Sequence, residues 1–238
     1  AFERMGVIVL NKGDGIQSSR DKLLASQKMN EGGVPIPTTA QVGTWQDTRR
    51  AVSRVGGTPC VIKTNEGTHG SGVFLAHTEQ QARQLVYQML ERGLRPLVQE
   101  YIRESHGQDI RAFVVGGKVV ASMKRKAKGS EFRSNFHLGG EVEKLAISDE
   151  YAKIACKAAE ILGLEIAGVD MLESDRGPLV LEVNSSPGLE GIEAASGVNV
   201  ASRIIRNLVS LHKSRQEAEE KQQISDSQSV DEEAKGNA

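Results

Sequence analysis

The chain has 238 residues with 30 basic and 31 acidic side chains, so its formal net charge is −1 at pH 7. Its length allows one or two domains with a sizeable core, and its balanced charge excludes the broad positive field that marks nucleic-acid-binding proteins. The sequence lacks an apolar run long enough for a membrane span and a signal-peptide pattern, and Cys60 and Cys156 lack metal-site spacing, so we expect a cytoplasmic protein with reduced thiols.

The first part of the chain combines a short loop-rich stretch with a helix. Residues 1–19 hold one short apolar run and begin without an initiator Met, and we expect them to be the end of an upstream domain. Residues 20–30 (RDKLLASQKMN) predict a helix that ends at Gly32 and Gly33. Lys22 lies in its first turn, where a cation opposes the helix dipole, although an exposed lysine is normally only solvated.

A glycine-rich hairpin is predicted after a short helix at residues 46–55. The stretch CVIKTNEGTHGSGVFLA forms two strand-like runs, with Lys63 on the first and Gly67, Gly70 and Gly72 at the tip. Such a tip can lay backbone N–H groups over a polyphosphate that Lys63 also reaches. The order GxxGxG leads into a strand and matches neither the Rossmann nor the Walker motif, and an isolated glycine-rich hairpin is usually only a turn.

The middle of the chain predicts a helix and three strands. Residues 78–93 predict a helix with Thr78 and Gln81 as a capping box. Strand-like runs follow at residues 97–102, 110–115 and 118–123. The VGGK turn pairs the last two runs as a hairpin.

Polar residues close the first of these strands. Gln99, Glu100 and Tyr101 offer backbone groups to the edge of a base, and Asp109 offers a carboxylate to a ribose hydroxyl. These assignments are hypotheses from position alone.

A basic cluster follows the hairpin. It consists of Lys124, Arg125, Lys126, Lys128 and Arg133, with only Glu131 to oppose it. A charge run is usually a solvated face. The polar loop RSNFHLGG comes next, so binding of an anionic substrate is a competing interpretation.

The remaining elements complete an α+β protein of two small lobes. Helices are predicted at residues 148–163 and 198–212. From Gln216 the chain is polar and charged, and this composition predicts a disordered tail.

The stretch GVDMLESDRGPLVLEVNSSPGLEG carries a predicted metal site. Residues i and i+2 of a strand share a face, so Glu182 and Asn184 present two oxygen donors together, and a neighbouring strand brings Asp170 beside them. Such hard oxygen ligands suit magnesium. The alternative is that one carboxylate caps a turn and the other is solvated. The position of Glu182 after an apolar run favours the metal, because a carboxylate there needs compensation.

Six motifs together resemble one family. They are KTNEGTHGSGV, LVQEYI, GQDIRAFVVGGKVVA, FRSNFHLGG, GVDML and LEVNSSPGLEGIE. They are similar to the ATP-grasp superfamily, and specifically to its RimK-type α-L-glutamate ligases, over about residues 1–210. The resemblance implies an ATP-grasp fold whose two α+β lobes clasp the nucleotide, a small lobe at residues 20–93, a large lobe at residues 94–212, a tail at residues 213–238, and an N-terminal pre-ATP-grasp domain that is largely absent.

The resemblance also implies roles for individual residues. The implied nucleotide contacts are Lys22, Lys63 and the loop of Gly67, Gly70 and Gly72 at the phosphates, Glu100 and Tyr101 at the adenine, Asp109 at the ribose, and Arg133, Ser134 and Asn135 at the phosphates and acyl group. Asp170, Glu182 and Asn184 would hold two magnesium or manganese ions, and Arg133 and Arg125 would stabilise an oxyanion. Loop residues His69, Ser71 and Leu138 depart from the family pattern, which puts the acceptor in doubt more than the ATP chemistry.

The implied reaction joins glutamate to a carboxylate through an acylphosphate. The implied acceptor is the C-terminal glutamate of the sixth small-subunit ribosomal protein, with poly-glutamate synthesis as a further activity, and the enzyme is expected to form a homo-oligomer without direct nucleic-acid or membrane contact. Another ATP-grasp ligase, which joins an amino acid to a carrier protein or cofactor, and a non-catalytic nucleotide-binding module remain as alternatives. We expect Asp170→Asn and Glu182→Gln each to abolish turnover and leave the fold intact.

Overall fold

Residues 2–67, 72–129, 132 and 140–236 are described in this computed structural model, with side chains described as far as residue 222. Seven α-helices lie within these ranges: α1 (Gly13–Arg20), α2 (Lys22–Glu31), α3 (Thr48–Arg54), α4 (Glu79–Glu91), α5 (Asp149–Ile161), α6 (Glu190–Ser196) and α7 (Val200–Gly236). Among them, none is long and apolar enough to cross a membrane. Cys60 and Cys156 are free thiols.

Nine strands in the described ranges form two antiparallel sheets. They are β1 (Thr39–Gln41), β2 (Cys60–Thr64), β3 (Val73–Ala76), β4 (Pro96–Glu100), β5 (Gln108–Val115), β6 (Lys118–Lys126), β7 (Glu141–Lys144), β8 (Ile166–Leu172) and β9 (Leu179–Asn184). The four-stranded sheet has the order β1-β4-β2-β3, and the five-stranded sheet has the order β7-β6-β5-β8-β9.

Helices α3 and α4 cover one face of the four-stranded sheet. Ile62 and Val98 from the sheet pack with Val52 of α3 and Val86 of α4. The predicted cap of α4 is present, because the Thr78 hydroxyl accepts a hydrogen bond from the Gln81 backbone N–H at 3.2 Å. The Gln81 side chain accepts from the N–H of His77 rather than from that of Thr78. The predicted hairpin of β2 and β3 is confirmed.

The five-stranded sheet has a different cover on each face. Ala112 and Val169 face α5 and the side chain of Met29 from α2, whereas Phe113 packs with Ile192 of α6. The VGGK hairpin is confirmed, with Gly116 and Gly117 at φ values of 57° and 70° that suit a tight turn of this kind. Alternation along β5 therefore divides its residues between two cores, and Asp109 and Arg111 lie on the face of Phe113.

The structure distributes the N-terminal residues differently from the predicted lobes. The Asn11 side chain donates to the carbonyls of Ile166 and Ser185 and accepts from the N–H of Ile166, which fixes this segment to β8 and to the turn after β9. Helix α2 packs into the core beneath the five-stranded sheet through Ala25 and Met29. The segment predicted as an upstream remnant is thus attached to the larger sheet by hydrogen bonds, and the first helix of the predicted small lobe belongs to the core of that sheet because its apolar face is buried there.

Strand β4 also lies on the other side of the predicted division. Residues 94–212 were expected to form one lobe, but β4 pairs with β1 and β2 in the four-stranded sheet. Leu97 and Val98 are fully buried there. The chain therefore passes from the smaller sheet to the larger one after Glu100, and not at the predicted boundary after Gly93. Strand pairing decides to which sheet β4 belongs.

The last helix extends far beyond the predicted end at His212. Helix α7 continues to Gly236, so the structure places helix where the composition predicted a disordered tail. Gln, Glu, Lys, Arg and Ala dominate this segment, and all are strong helix formers. An i,i+4 ion pair joins Arg215 Nε to Glu219 Oε1 at 2.7 Å. Intrinsic helix propensity can thus order a segment that has little apolar surface to bury.

Candidate active site

Lys63 is a buried cation on the central strand β2. The residue is only 5% exposed, and its Nζ donates a hydrogen bond to Gln99 Oε1 at 3.0 Å. The amide of Gln99 donates in turn to Thr39 Oγ1 at 2.8 Å. Burial lowers the pKa of Lys63 from 10.5 to about 8, the charge of Glu182 opposes this shift, and the charge of Lys22 adds to it.

Lys22 meets Lys63 at the glycine-rich loop. Its Nζ donates to the carbonyl of Gly67 at 2.9 Å, and its backbone N–H donates to the carbonyl of Asn65. The Asn65 side chain accepts from the N–H of Leu23, so the end of β2 holds the N-terminus of α2. The two lysines that the sequence singled out are therefore brought together, with their charges close enough to interact.

Both described ends of the loop require glycine. Gly67 has φ 140° and Gly72 has φ 76°, which residues with a Cβ rarely adopt. A Cβ on Gly72 would also lie 3.0 Å from Thr64 Oγ1. Gly70, predicted at the same tip, lies outside the described residues.

A row of alternating charges crosses one face of the five-stranded sheet. Arg125 of β6 is the cross-strand partner of Asp109 on β5, Arg111 of β5 is the partner of Asp170 on β8, and Asp170 is the partner of Glu182 on β9. We call Arg125, Asp109, Arg111 and Asp170 the charged row. Register alone places these four side chains side by side.

Asp170 accepts hydrogen bonds from both arginines of the charged row. Arg111 Nε and Nη2 lie 2.7 Å from Asp170 Oδ1 and Oδ2, and Arg125 Nη2 lies 2.9 Å from Oδ2. Burial by itself raises the pKa of Asp170, but the two guanidinium groups outweigh it and hold the pKa below its ordinary value. The carboxylate is therefore ionised at neutral pH despite its burial.

Glu182 and Asn184 lie beside Asp170 at the end of β9. Asn184 Nδ2 is 3.3 Å from Asp170 Oδ2 and 3.4 Å from the carbonyl of Gly168. Glu182 is half-buried and accepts no hydrogen bond from the residues that the structure describes. Its charge acts on Lys63 of the other sheet and opposes the fall in the pKa of that lysine. The three predicted metal ligands are thus adjacent, and two of them project from one strand.

The donor chemistry of this trio fits magnesium. Two carboxylates and an amide oxygen are hard ligands, and Glu182 is the least engaged of them. Asp170 would share its oxygens with Arg111 and Arg125. Within the described ranges, no group of three or more His, Cys, Asp or Glu side chains is arranged to hold a metal ion, so a site here depends on the amide of Asn184 as the third ligand.

Asp109 forms a bidentate ion pair within the charged row. It is 5% exposed, and its Oδ1 and Oδ2 each accept from Arg125, at 2.6 Å from Nε and Nη2. Register places an arginine directly opposite the carboxylate, so Asp109 forms an ion pair with Arg125 in the ligand-free protein. The ribose contact stays a prediction.

The predicted adenine residues lie at the end of β4, at the change from one sheet to the other. Glu100 Oε1 accepts from Arg176 Nη2 at 2.6 Å, and Oε2 accepts from the N–H of Thr38 at 3.1 Å. Tyr101 forms a hydrogen bond with the ring of His106. The Glu100 side chain is thus engaged by Arg176 and Thr38, and the adenine contact of Glu100 and Tyr101 stays a prediction.

The basic cluster is largely neutralised. Strand alternation places Arg125 on one face of β6 and Lys124 and Lys126 on the other. Lys124 Nζ lies 2.6 Å from Glu173 Oε2, and Lys126 Nζ lies 2.9 Å from Glu143 Oε1. Among the described members of the cluster, only Lys128 is exposed and forms no ion pair with a described carboxylate, so it alone could still bind an anion.

Three predicted residues lie outside the described part of the chain: Arg133, Ser134 and Asn135. Sequence analysis, in turn, missed Arg111, Gln99 as a partner of Lys63, and Asn65. Arg111 stands two residues after Asp109 in a strand-like run, so alternation was a usable signal for it. The partners of Gln99 and Asn65 are far away in sequence and left no local signal.

Comparison with known proteins decides the family. The profile of the RimK-like ATP-grasp domain matches residues 19–208. The chain belongs to the RimK-like ATP-grasp family. The resemblance found in the motifs is confirmed, and so is the predicted α+β ATP-grasp fold.

Two curated relatives are both named probable alpha-L-glutamate ligase. A probable alpha-L-glutamate ligase of Aeromonas salmonicida is 50% identical over 207 residues, which cover 87% of this chain and 70% of the relative. A probable alpha-L-glutamate ligase of Methanococcoides burtonii is 49% identical over 204 residues, which cover 86% of this chain and 68% of the relative. This RimK-like ATP-grasp protein therefore matches about two thirds of the length of each.

A solved structure shows the same fold. The ATP-grasp ligase PsnB, complexed with a phosphomimetic variant of its minimal precursor, Mg and ADP, superposes with a TM-score of 0.67 at 23% identity. The match covers 87% of this chain and 64% of PsnB, so this chain spans less than two thirds of that protein. At this identity the likeness concerns the fold alone.

Proposed function

We propose that this protein is an ATP-dependent carboxylate–amine ligase that adds glutamate to the C-terminal glutamate of an acidic peptide. The acceptor we propose is the sixth small-subunit ribosomal protein, with free poly-glutamate as a second product, in the cytoplasm and as a homo-oligomer. The observation that carries the proposal is the buried Lys63 of β2, whose charge interacts with that of Lys22 at the start of α2 and with that of Glu182 on β9. Two lysines and a carboxylate in one place suit a polyphosphate with its metal.

The family and its relatives support this choice. A RimK-like ATP-grasp domain and relatives named probable alpha-L-glutamate ligases favour ATP and glutamate as substrates. The presence of Mg and ADP in the PsnB complex favours magnesium as the metal. Asp170, Glu182 and Asn184 would hold it, and we propose two ions, with manganese as a substitute. When bound, the metal would neutralise charge on the phosphate oxygens.

In the first step, an oxygen of the acceptor carboxylate attacks the γ-phosphorus, its new O–P bond replaces the bond to the β-phosphate oxygen, and ADP leaves. Lys63 and Lys22 offset the charge of the α and β phosphates. Burial makes Lys63 effective here, because a charge in a low-dielectric site is weakly screened. A bound anion would raise the pKa of Lys63 again, because a nearby negative charge favours the ammonium form.

In the second step, the glutamate amine attacks the acylphosphate carbonyl, an amide bond forms, the bond to phosphate breaks, and the amine loses a proton. An oxyanion develops on the carbonyl oxygen. Arg125 is fixed in the charged row, and we assign it together with Arg133 to that charge. The chemistry requires no nucleophilic side chain, so positioning and electrostatics carry the catalysis.

Mass spectrometry tests the proposal directly. A peptide ending in Glu-Glu is incubated with the protein, ATP, magnesium and each amino acid in turn, and ADP is measured in parallel. A ladder of added glutamates with glutamate alone, and equimolar ADP, is the expected result. ADP release with a different amino acid would indicate another ATP-grasp ligase. Nucleotide binding without any product would indicate a non-catalytic module and would contradict the proposed ligase.

A further inference from the structure

Helix α7 extends from the body of the protein into solvent. Val200 and Ile204 pack with the core on one face of the five-stranded sheet, whereas residues 212–222 are exposed throughout. From residue 212 to Gly236 the helix is about 37 Å long, from the rise per residue of an α-helix. The match of the family profile ends at residue 208, so the ATP-grasp domain does not account for this extension.

The charges of α7 are divided between its two halves. Residues 200–216 hold four basic side chains and no acidic one, whereas residues 217–236 hold seven acidic and two basic side chains. The helix dipole favours the reverse arrangement, with acidic residues near the N-terminus and basic residues near the C-terminus. The division therefore does not stabilise a single helix through its dipole, and it points to a partner.

One face of α7 carries both signs of charge. Arg206, Lys213 and Glu220 follow each other at intervals of seven residues, which is close to two helical turns. All three are exposed. Val209 lies on the same face and is 48% exposed, and Ile205, one turn before it, is 58% exposed. We call these five residues the α7 stripe, which is basic and apolar at one end and acidic at the other.

We infer that the α7 stripe docks antiparallel against the same stripe of a second copy of this chain. In that orientation each basic half lies beside the acidic half of the other copy, and the two helix dipoles oppose each other. A parallel pair would instead set like charges side by side. One helix supplies both signs, so the contact is reciprocal, as a two-fold symmetric pair requires.

A second copy also supplies the packing that the extended helix lacks. Helix propensity favours the segment, but an unpacked helix is marginal in water, and in proteins packing provides most of the stability of a helix. The docked stripe removes its two apolar side chains from water. Phe2 and Met5, which are 65% and 73% exposed, add apolar surface nearby, because Arg215 of α7 donates to the carbonyl of Gly6 in the same segment.

The inference gives the homo-oligomer of the proposed function a specific interface. It rests on the proposed function in that respect alone, and it requires no glutamate transfer. The mass of the protein in solution therefore tests it separately from the chemistry.

The main experiment measures the mass of the whole chain by light scattering over a dilution series at low salt. We expect the wild type to form particles of two chains. Arg203→Glu with Arg206→Glu, and Glu217→Lys with Glu220→Lys, should each weaken association about a hundredfold, because each variant gives the helix a single sign of charge. An equimolar mixture of the two variants should associate about as strongly as the wild type, because their charges are complementary again.

Three results would overturn the inference. The first is a wild type that stays monomeric over the whole series. The second is association that both charge reversals leave unchanged, since another face would then form the homo-oligomer. The third is a mixture that does not recover association. If a single variant loses helix by circular dichroism, the mixture still decides, because a helix that pairs must recover both mass and helix content.

Matched controls lie on α4 and in the loop that follows it. Glu91→Lys reverses an exposed charge on α4 and should leave the mass unchanged. Ile205→Ser with Val209→Ser should weaken association about tenfold, because less apolar surface is buried on docking. Leu94→Ser removes a side chain of similar exposure, 41%, and should have no effect. Equal effects of the stripe variants and their controls would contradict a specific contact.

Salt dependence and activity complete the test. At about 1 M salt the Debye length is about 3 Å, so association of the wild type should weaken about tenfold, and association that salt leaves unchanged would contradict charge pairing. ADP release with glutamate is measured on the same samples. A monomeric protein that forms the amide would overturn the inference and keep the ligase, whereas a pair of chains without product would keep the inference and reject the ligase.

Discussion

The two sheets bury ionised side chains by opposite means. In the four-stranded sheet, Lys63 has a neutral amide, Gln99, as its hydrogen-bond partner among the described residues, and its pKa falls to about 8. In the five-stranded sheet, the charged row pairs two arginines with two carboxylates, and the pKa of Asp170 is held below its ordinary value.

This difference suits the two sheets to different tasks, ligand binding in one and the positioning of side chains in the other. An undercompensated buried cation is costly in the empty protein and becomes favourable when an anion arrives. A compensated row gains little from a ligand and instead holds its groups in one geometry. Lys63 is therefore suited to bind a phosphate, and the charged row is suited to orient groups around the reacting atoms.

The largest expected effect comes from a break in the charged row. Asp170→Asn leaves Arg111 and Arg125 facing a neutral amide, so we expect loss of turnover together with about 3–5 kcal/mol of stability. Glu182→Gln should also abolish turnover but change stability by less than about 1 kcal/mol, because Glu182 is half-buried and forms no ion pair with the described residues. Urea unfolding and ADP release measure both quantities.

The sequence alone predicted that both substitutions leave the fold intact. From the structure we still expect Glu182→Gln to have nearly wild-type stability, but we now expect Asp170→Asn to be clearly destabilised. Equal stability of the two variants would contradict the role of Asp170 as the anchor of both arginines, and wild-type turnover in either would remove the metal assignment.

An opposite change in stability is expected at Lys63. Lys63→Met removes a buried charge of similar shape and should raise the stability of the nucleotide-free protein at pH 7 by about 1–3 kcal/mol, while it weakens ATP binding. The sign with pH follows from the pKa values. The folded value of about 8 lies below the ordinary 10.5, so the unfolded chain binds more protons between them, and wild-type stability rises over that range.

The difference in unfolding free energy between wild type and Lys63→Met isolates this group from the others that titrate. It should shrink from pH 8 to pH 10.5 and stay constant below about pH 7. Lys63→Arg is the matched control, since arginine stays charged throughout. A constant difference up to pH 10.5 would show that Lys63 is not desolvated.

The smallest effect is expected at the partner of Lys63. Gln99→Met removes the acceptor at 3.0 Å and leaves the ammonium unsatisfied by the described residues, at a cost of about 1–2 kcal/mol. The KM for ATP should rise because Lys63 loses its orientation. Thr39→Val removes the next bond of the same chain and leaves Lys63 with Gln99. Differential scanning and steady-state kinetics should therefore separate the two, and identical KM values would contradict a role for Gln99.

Local chemistry in the sequence determined much of this protein. Strand periodicity, the VGGK turn and the cap at Thr78 depend on residues within a few positions of each other, and each is confirmed. The i,i+2 spacing of Glu182 and Asn184 placed them together on β9 for the same reason. The family motifs added the ATP-grasp fold.

Only the tertiary structure decided which charges meet. Asp109 and Arg125 are 16 residues apart and Arg111 and Asp170 are 59 apart, and strand order and register bring each pair within bonding distance. The same pairing places β4 in the smaller sheet and buries α2 beneath the larger one. A sequence shows which residues carry charge, but the free energy of a buried charge depends on its neighbours in space, and that is why the roles of Asp109, Asp170 and Lys63 emerge only from the fold.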